Sequence, residues 1–541
     1  MKIPFAITLD VGTSRANHTG SWRVERPVYV DRLPPCNQAC PSGENIQGWL
    51  YAAESGDYEG AWRILVEDNP LPAIMGRICF HPCETACNRA QVDEAVGVNP
   101  VERFLGDLAL ERGWSLPAPG PDSGYHVLVV GSGPAGLSAT YHLRRRGHRV
   151  TLVDSSPKLG GMMRYGIPAY RLPRTVLDAE IERILAMGVA VVTRHVVSDV
   201  TAERAAGGYD AVFLAVGAQL GKRVDIPAGD SGRVIDAVSF LHQVAEGDAP
   251  LLGRRVVVYG GGDTALDAAR TARRLGATDA MIVYRRTRER MPAHDEELEQ
   301  ALVEGVTMHW LSTVDRFEGD RLIIEKMRLN AEGFPEPTGE FEELGADALV
   351  LALGQDTDLS LVTSASEVVV HNGAVEVEAS MMTGLPGVFA GGDVTPADRT
   401  ATVAVGHGKR AARGIDDFVR GVVSARASAH PLASFDRLNT WYYADAPRTQ
   451  RPELERVRRQ TNFEEVVGGL TEENALFEAR RCLSCGNCFE CDNCFGVCPD
   501  NAVIKLGPGE RYAFNYDFCK GCGVCVVECP CGAIDLVPEQ I

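Results

Sequence analysis

The chain has 541 residues, 45% of them hydrophobic, and a formal charge of −19 at neutral pH. That length accommodates several domains, each with its own core, whereas so acidic a surface repels nucleic acid and anionic membranes as main partners. No run of about 20 apolar residues reads as a membrane span, and the opening MKIPFAITLD lacks the long apolar segment of a signal peptide, so a soluble, cytoplasmic protein is expected.

The 16 cysteines fall in bunches, the pattern of metal-cluster ligands in a reducing compartment rather than of disulfides. Residues 1–120 read as a helical iron–sulfur domain. Cys36 and Cys40 lie in PPCNQACP, and Cys79, Cys83 and Cys87 in GRICFHPCETAC, on loops framed by short helices with apolar periodicity. Thiolates converging from turns suit an iron cube, and spacing alone leaves zinc open.

Residues 121–250 open a flavin-type module. The apolar run from His126 breaks into Gly131-Ser132-Gly133-Pro134-Ala135-Gly136 and then into a helical pattern, a strand–turn–helix whose turn holds a pyrophosphate. The next strand ends on Asp154, about 20 residues on, where a carboxylate takes a ribose hydroxyl. The segment Lys158–Pro168, with Gly161 and Arg164, is expected against the isoalloxazine ring, and the strand Tyr209–Val216 turns at Gly217.

Residues 251–385 repeat the pattern. GRRVVVYGGGDTALDAA supplies Gly260, Gly262, Asp263 and Thr264 for a second dinucleotide, and the following strand ends on Arg285 and Arg286 instead of an acid. Guanidinium groups there suit a 2′-phosphate, which favours NADPH over NADH; a plain surface cluster of arginines is the alternative. A buried strand then turns at Gly354.

Residues 386–420 return to the flavin module through Gly392 and Asp393, with a helix carrying Thr402 and Val403 whose N-terminus can stabilise a reduced flavin. The flavin domain is therefore expected to be discontinuous. Residues 421–475, rich in arginine, read as a polar connector, either a solvated face or an interdomain strap.

The tail, 476–541, ends in two ferredoxin runs, Cys488-x2-Cys491-x2-Cys494-x3-Cys498-Pro499 and Cys519-x2-Cys522-x2-Cys525-x3-Cys529-Pro530. The fourth cysteine of each run ligates the other cluster, so Cys529 joins the first three of one run and Cys498 the first three of the other. Cys531 is spare.

The motifs GRIC, GSGPAG, GGMMRYGIPAYRLP, GGGDTALD, YRRT and GVFAGGD, in order over residues 30–420, resemble the family of the glutamate synthase small subunit, the N-terminal half of dihydropyrimidine dehydrogenase, and the large subunit of the NADH-dependent ferredoxin:NADP oxidoreductase. The resemblance implies FAD in the first module, NAD(P)H in the second and [4Fe–4S] clusters in the helical domain. The fold expected is α/β: two Rossmann-like domains, preceded by a helical Fe–S domain and followed by an α+β 2[4Fe–4S] ferredoxin domain.

One departure from the family matters. The RCLxCG pair that usually opens the cysteine domain is absent there and occurs as Cys482 and Cys485. Either the tail folds back, so that this pair joins Cys36 and Cys87 while Cys40, Cys79, Cys83 and Glu102 of VERFL hold a second cluster, or the pair is idle and the N-terminal thiols hold one.

Nicotinamide exchanges hydride and ferredoxin clusters exchange single electrons, so a flavin must convert between them. No G-x-S-x-G nucleophile motif is present. The expected function is an electron-transfer subunit whose partner acts on the carbon substrate, for instance a 2-oxoacid:ferredoxin oxidoreductase. The alternative is a self-contained reductase of free ferredoxin or a small molecule.

Overall fold

The computed structural model describes residues 18–222, 224, 226–227, 233–424 and 430–539; the MKIPFAITLD segment lies outside them. Two five-stranded parallel sheets form the centre. The first runs Val388–Ala390, Ala211–Leu214, His126–Val130, Arg149–Val153, Ala190–Val192. The second runs Thr307–Trp310, Asp279–Tyr284, Arg255–Tyr259, Ala348–Leu351, Arg233–Asp236. Helices cover parallel sheets on both faces, which is why HVLVV, AVFL and ALVL read as continuous apolar runs. In each sheet one central strand passes through a glycine turn into a helix, Pro134–Arg145 or Asp263–Arg274.

The two units interleave differently from the division at 250 and 385. Strand Arg233–Asp236 pairs with Ala348–Leu351 of the second sheet, while Leu361, Val362, Ala365 and Val375 pack on Leu128, Val212 and Val388 of the first. A half-exposed strand such as RVID carries no apolar run to betray its sheet. An antiparallel sheet, Ser312–Glu318, Arg321–Leu329 and Pro335–Gly345, covers the second unit, with Phe317, Leu322 and Ile324 against Val257, Val283 and Leu349.

Helices Ile46–Glu54, Tyr58–Val66, Pro72–Ile78 and Val98–Arg112 form the N-terminal unit. Asn45 and Asp57 cap the first two, accepting from Gly48 N at 3.2 Å and Gly60 N at 2.9 Å. Helix Glu472–Ala479 joins this core through Leu470, Ala475 and Ala479, which pack with Trp49, Leu50 and Val101. Its buried Glu478 accepts from Gly97 N at 2.6 Å, Thr449 N at 2.9 Å and Arg481 Nη1 at 2.5 Å. By packing, the segment up to Cys485 thus sits with the N-terminal helices. Strand Glu25–Tyr29 in turn pairs antiparallel with Ile534–Pro538, so the two ends of the chain are interlocked.

The connector is a strap. Arg448 pairs with Glu84 at 2.5 Å, Val466 N donates to Tyr170 O at 3.0 Å, and Gln460 Nε2 donates to Glu304 O at 2.6 Å, tying the helical unit to both sheets. Among the described residues no helix is long and apolar enough to cross a membrane.

Candidate functional site

The first glycine turn lines a cavity of about 240 Å³ together with Asp154, Gly161, Gly217, Gly392 and Asp393. Gly131 has φ +101°, and a Cβ there would lie 2.3 Å from Ala215 O; one on Gly136 would lie 1.9 Å from Gly131 O. Both positions are closed to side chains by backbone, Gly136 serving helix–strand packing. A Cβ on Gly133 would meet nothing, since that backbone faces the cavity alongside Pro134 and Ala135. Open space over a helix N-terminus is what a pyrophosphate needs. Asp154 accepts from Ser132 N and Ser156 N, both at 2.8 Å, so it braces the turn while lining the cavity.

Three of the expected flavin residues are not among those lining the cavity. The Arg164 guanidinium is committed to Leu159 O and the Asp178 carboxylate, because its short helix, Met162–Tyr165, turns it off the cavity and presents Met162 and Met163 instead. Thr402 and Val403 lie just past the cavity wall. Helix Ala401–Arg420 starts at Ala401, capped by the Thr400 hydroxyl accepting from Val403 N at 3.2 Å, and Thr400, Ala401 and Ala404 form the lining. His407, one turn on, accepts from Gly392 N at Nδ1, 3.1 Å away. Burial lowers its pKa to about 4 and raises that of Asp393.

The second turn lines a cavity of about 620 Å³ with Arg285, Arg286 and Gly354. Gly260 has φ +151°, and a Cβ there would lie 2.1 Å from Ala352 O, whereas one on Gly262 would face open space. The Arg286 Nε is buried and without a hydrogen-bond partner among the described residues, which suits an anionic ligand. Thr264, Gln355 and Arg399 belong to both linings, so the two cavities adjoin. Asp263 lines the flavin cavity rather than the second one; its carboxylate accepts from His294 N and Nδ1, both at 3.0 Å. Burial pushes the Asp263 pKa up, and these bonds more than offset it, leaving it lowered.

Ile78, Phe80, Arg171 and Asp267 also line the flavin cavity; the motifs GRIC, GGMMRYGIPAYRLP and GGGDTALD contain three of them, but nothing in the local pattern marks these positions as lining residues. They arrive from the helical unit, the YRLP segment and the second sheet's helix. Phe80 stacks on His294 with ring centroids 3.3 Å apart, and Arg171 pairs with Asp267 at 2.7 Å and Glu297 at 2.8 Å.

The cysteines form four groups. Cys36, Cys87, Cys482 and Cys485 line one small cavity. Burial first, then the proximity of the other three, raises the Cys36 pKa, and burial raises that of Cys485 to about 11. Cys40, Cys79, Cys83 and Glu102 form the second group. Burial raises all four, with Glu102 adding to the rise at each thiol. Glu102 accepts from Asn69 Nδ2 at 2.9 Å. Cys488, Cys491, Cys494 and Cys529 are mutual neighbours, and Cys498, Cys519, Cys522 and Cys525 line another small cavity. Cys531 is buried with its sulfur 3.7 Å from that of Cys529, a hydrogen bond that lowers the Cys529 pKa.

Backbone amides point at sulfur in each group: His81 N to Cys79 at 3.2 Å, Ser484 N to Cys482 at 3.4 Å, Ala502 N to Cys498 at 3.2 Å and Ala533 N to Cys529 at 3.4 Å. Thiols sheltered from water yet met by N–H donors fit cluster ligands, since bound iron would supply the positive charge that such a thiolate lacks. The groups follow one another. Ile78 and Phe80, which flank Cys79, line the flavin cavity. Tyr443 donates to Leu483 O at 2.9 Å; burial raises its pKa, and Cys531, Cys482, Cys485 and Cys491 add to the rise, so it lies between the first group and the tail.

Comparison with known proteins agrees with this layout. Residues 125–408 match the pyridine nucleotide-disulphide oxidoreductase family, residues 26–114 the dihydropyrimidine dehydrogenase domain II, 4Fe-4S cluster, and residues 512–535 a 4Fe-4S binding domain. The beta subunit of the NADP(+)-dependent formate dehydrogenase of Moorella thermoacetica is 35% identical over 498 residues, covering 83% of this chain and 70% of that one. The beta subunit of the NADPH-Fe(3+) oxidoreductase of Geobacter sulfurreducens is 30% identical over 524 residues, 85% and 77%. The glutamate synthase [NADPH] small chain of Azospirillum brasilense is 32% identical over 425 residues, 73% and 88%.

Fold and site together define an NAD(P)-dependent flavin and iron–sulfur oxidoreductase, with FAD, NAD(P)H and [4Fe–4S] clusters as its cofactors. The chain belongs to the pyridine nucleotide-disulphide oxidoreductase family, in the branch that includes the glutamate synthase small chain. Its function is electron transfer between NAD(P)(H) and ferredoxin-type clusters.

Proposed function

We propose that this chain is the NADP-linked electron-transfer subunit of a cytoplasmic oxidoreductase complex, with four [4Fe–4S] clusters. Cys40, Cys79, Cys83 and Glu102 hold the cluster nearest the flavin, and Cys36, Cys87, Cys482 and Cys485 the next. Cys488, Cys491, Cys494 and Cys529, then Cys519, Cys522, Cys525 and Cys498, hold the two of the tail. The observation that carries this reading is the succession of four thiol groups from the flavin cavity to the ferredoxin end.

Bound FAD supplies the exchange between hydride and single electrons. The protein's part is to place and shield. Gly131, Gly133 and the N-terminus of Pro134–Arg145 receive the pyrophosphate, and Asp154 and Asp393 face ribose and ribityl hydroxyls. Arg285 and Arg286 receive a 2′-phosphate, so NADPH is preferred to NADH. Asp263, Thr264 and Arg171 hold the nucleotide unit against the flavin cavity. The domain division that follows is a helical unit including 470–485, a flavin unit interrupted by the nucleotide unit, a strap, and the ferredoxin end.

Substrate chemistry is assigned to a partner subunit. The relatives named as beta subunits or a small chain support a complex, with a dehydrogenase of formate type or a 2-oxoacid:ferredoxin oxidoreductase as partner. Anaerobic addition of NADPH to the purified protein is expected to bleach the flavin band and reduce the clusters, as read by electron paramagnetic resonance. Clusters that stay oxidised would refute the proposal. Affinity purification from the native host should retrieve a second subunit, and turnover of a carbon substrate by the lone chain would sink the partner assignment.

A further inference from the structure

The ferredoxin end has no strand of its own ahead of its first cysteine run. Between Cys485 and Val503 the chain forms turns and the short helix Asn493–Gly496, while the last strand, Ile534–Pro538, takes Glu25–Tyr29 as its partner. The other end of the chain therefore completes the tail.

Residues two apart on a strand share a face. Pro27 lines the small cavity of Cys498, Cys519, Cys522 and Cys525. Tyr29, two residues on, reaches the other thiol group of the tail, its hydroxyl 3.3 Å from the sulfur of Cys494, a residue 465 positions away in sequence. Stacking on Phe514, with centroids 5.0 Å apart and ring planes 20° apart, holds the ring there. The strand is fixed by Tyr516 Oη donating to Pro27 O at 2.8 Å and by Val30 N donating to Ala533 O at 3.0 Å. A sulfur bound to iron carries no proton, and a phenol keeps its own up to about pH 10, so the tyrosine is the donor in the loaded protein.

We propose that Tyr29 is a positioning residue for electron transfer: its hydroxyl, carried on the N-terminal strand, donates to the Cys494 thiolate and raises the reduction potential of the cluster that Cys494 ligates. The proposal rests on the assignment of Cys494 to the first cluster of the tail. That site adjoins the helical unit, since only Gly486 and Asn487 separate Cys485 from Cys488. A raised potential there draws electrons out of the helical unit into the tail. Reduction adds one electron, delivered from NAD(P)H, with no bond made or broken, and a donor on a ligand sulfur stabilises the added negative charge. A net hydrogen bond corresponds to roughly a 3- to 10-fold change in an equilibrium constant.

The test is a redox titration of the full chain, purified anaerobically and followed by electron paramagnetic resonance. Tyr29→Phe keeps the stacked ring and removes only the hydroxyl. It should retain the iron and the cluster signals but shift one midpoint negative, lowering the ratio of reduced to oxidised cluster about threefold or more at the wild-type midpoint potential. The other clusters should keep their midpoints, which a generally loosened tail would not allow. If the phenylalanine variant does not accumulate, Tyr29→Leu carries the same expectation. Wild-type midpoints throughout in the variant lacking the hydroxyl overturn the proposal. Cys494→Ala tests the underlying assignment separately, and by removing a signal it identifies the cluster to follow: unchanged iron content and unchanged signals would overturn the assignment itself, whatever Tyr29 does.

Discussion

His407 illustrates how a single side chain ties the flavin wall to pH. Its Nδ1 accepts the Gly392 amide, which requires that nitrogen to be unprotonated, and burial holds the pKa at about 4 against an ordinary 6.5. The unfolded chain therefore binds a proton that the fold refuses between these values, so stability rises with pH across the window and is lost as pH falls from 6.5 toward 4. The linkage is worth on the order of 2–3 kcal/mol. His407→Gln should flatten the dependence: its difference in melting temperature between pH 5 and pH 7 is expected to be smaller than that of wild type. Arg286 lines the other cavity. Arg286→Ala should raise the KM for NADPH about tenfold or more with little change for NADH, because a guanidinium–phosphate contact is lost; equal effects on both nucleotides would argue against a 2′-phosphate site.

At the scale of elements, helix Glu472–Ala479 decides where the RCLSCG pair lies. Glu478, buried and bonded to two amides and to Arg481, fastens this helix to the helical unit. The pair that follows is delivered to the cavity shared with Cys36 and Cys87. Replacing both Cys482 and Cys485 with serine should lower the iron content by about four atoms per chain. An unchanged count would mean that the N-terminal thiols suffice on their own. The pairing of Glu25–Tyr29 with Ile534–Pro538 acts alongside this helix, since it holds the ferredoxin end over the same unit.

Across the whole molecule, a buried ionic network keeps the nucleotide unit in place. Arg274 and Arg270 lie over the Tyr170 ring, 3.7 and 4.8 Å from its centroid, and both pair with the fully buried Glu304, at 2.6 and 2.9 Å. Burial pushes the Glu304 pKa up, but the two guanidiniums more than compensate and leave it lowered. Tyr170 belongs to the flavin unit, Glu304 to the nucleotide unit, and the strap reaches Glu304 O through Gln460. Removing one partner of such a network strands buried charge, so Glu304→Ala should cost about 3–5 kcal/mol in urea unfolding. Glu304→Gln, which keeps hydrogen-bond acceptance, should cost less.

Much of this is legible in the residues. The strands around Gly131 and Gly260, the two ferredoxin runs and the turn glycines follow from local apolar runs, backbone sterics and ligand spacing, all written within about 30 residues of chain. Arg164 and Thr402 fall outside the flavin cavity because a residue's neighbours in sequence do not say which way a short helix turns its side chain. Periodicity indicates a discontinuous flavin unit but puts its seams at 250 and 385, since the half-exposed strand Arg233–Asp236 finds its sheet only by pairing with a strand more than 100 residues away. Likewise the fold-back can be framed but not decided from spacing. Bringing Cys482 within reach of Cys36 takes the docking of a helix and the pairing of the two chain ends, long-range contacts whose energies belong to the assembled core rather than to any segment of it.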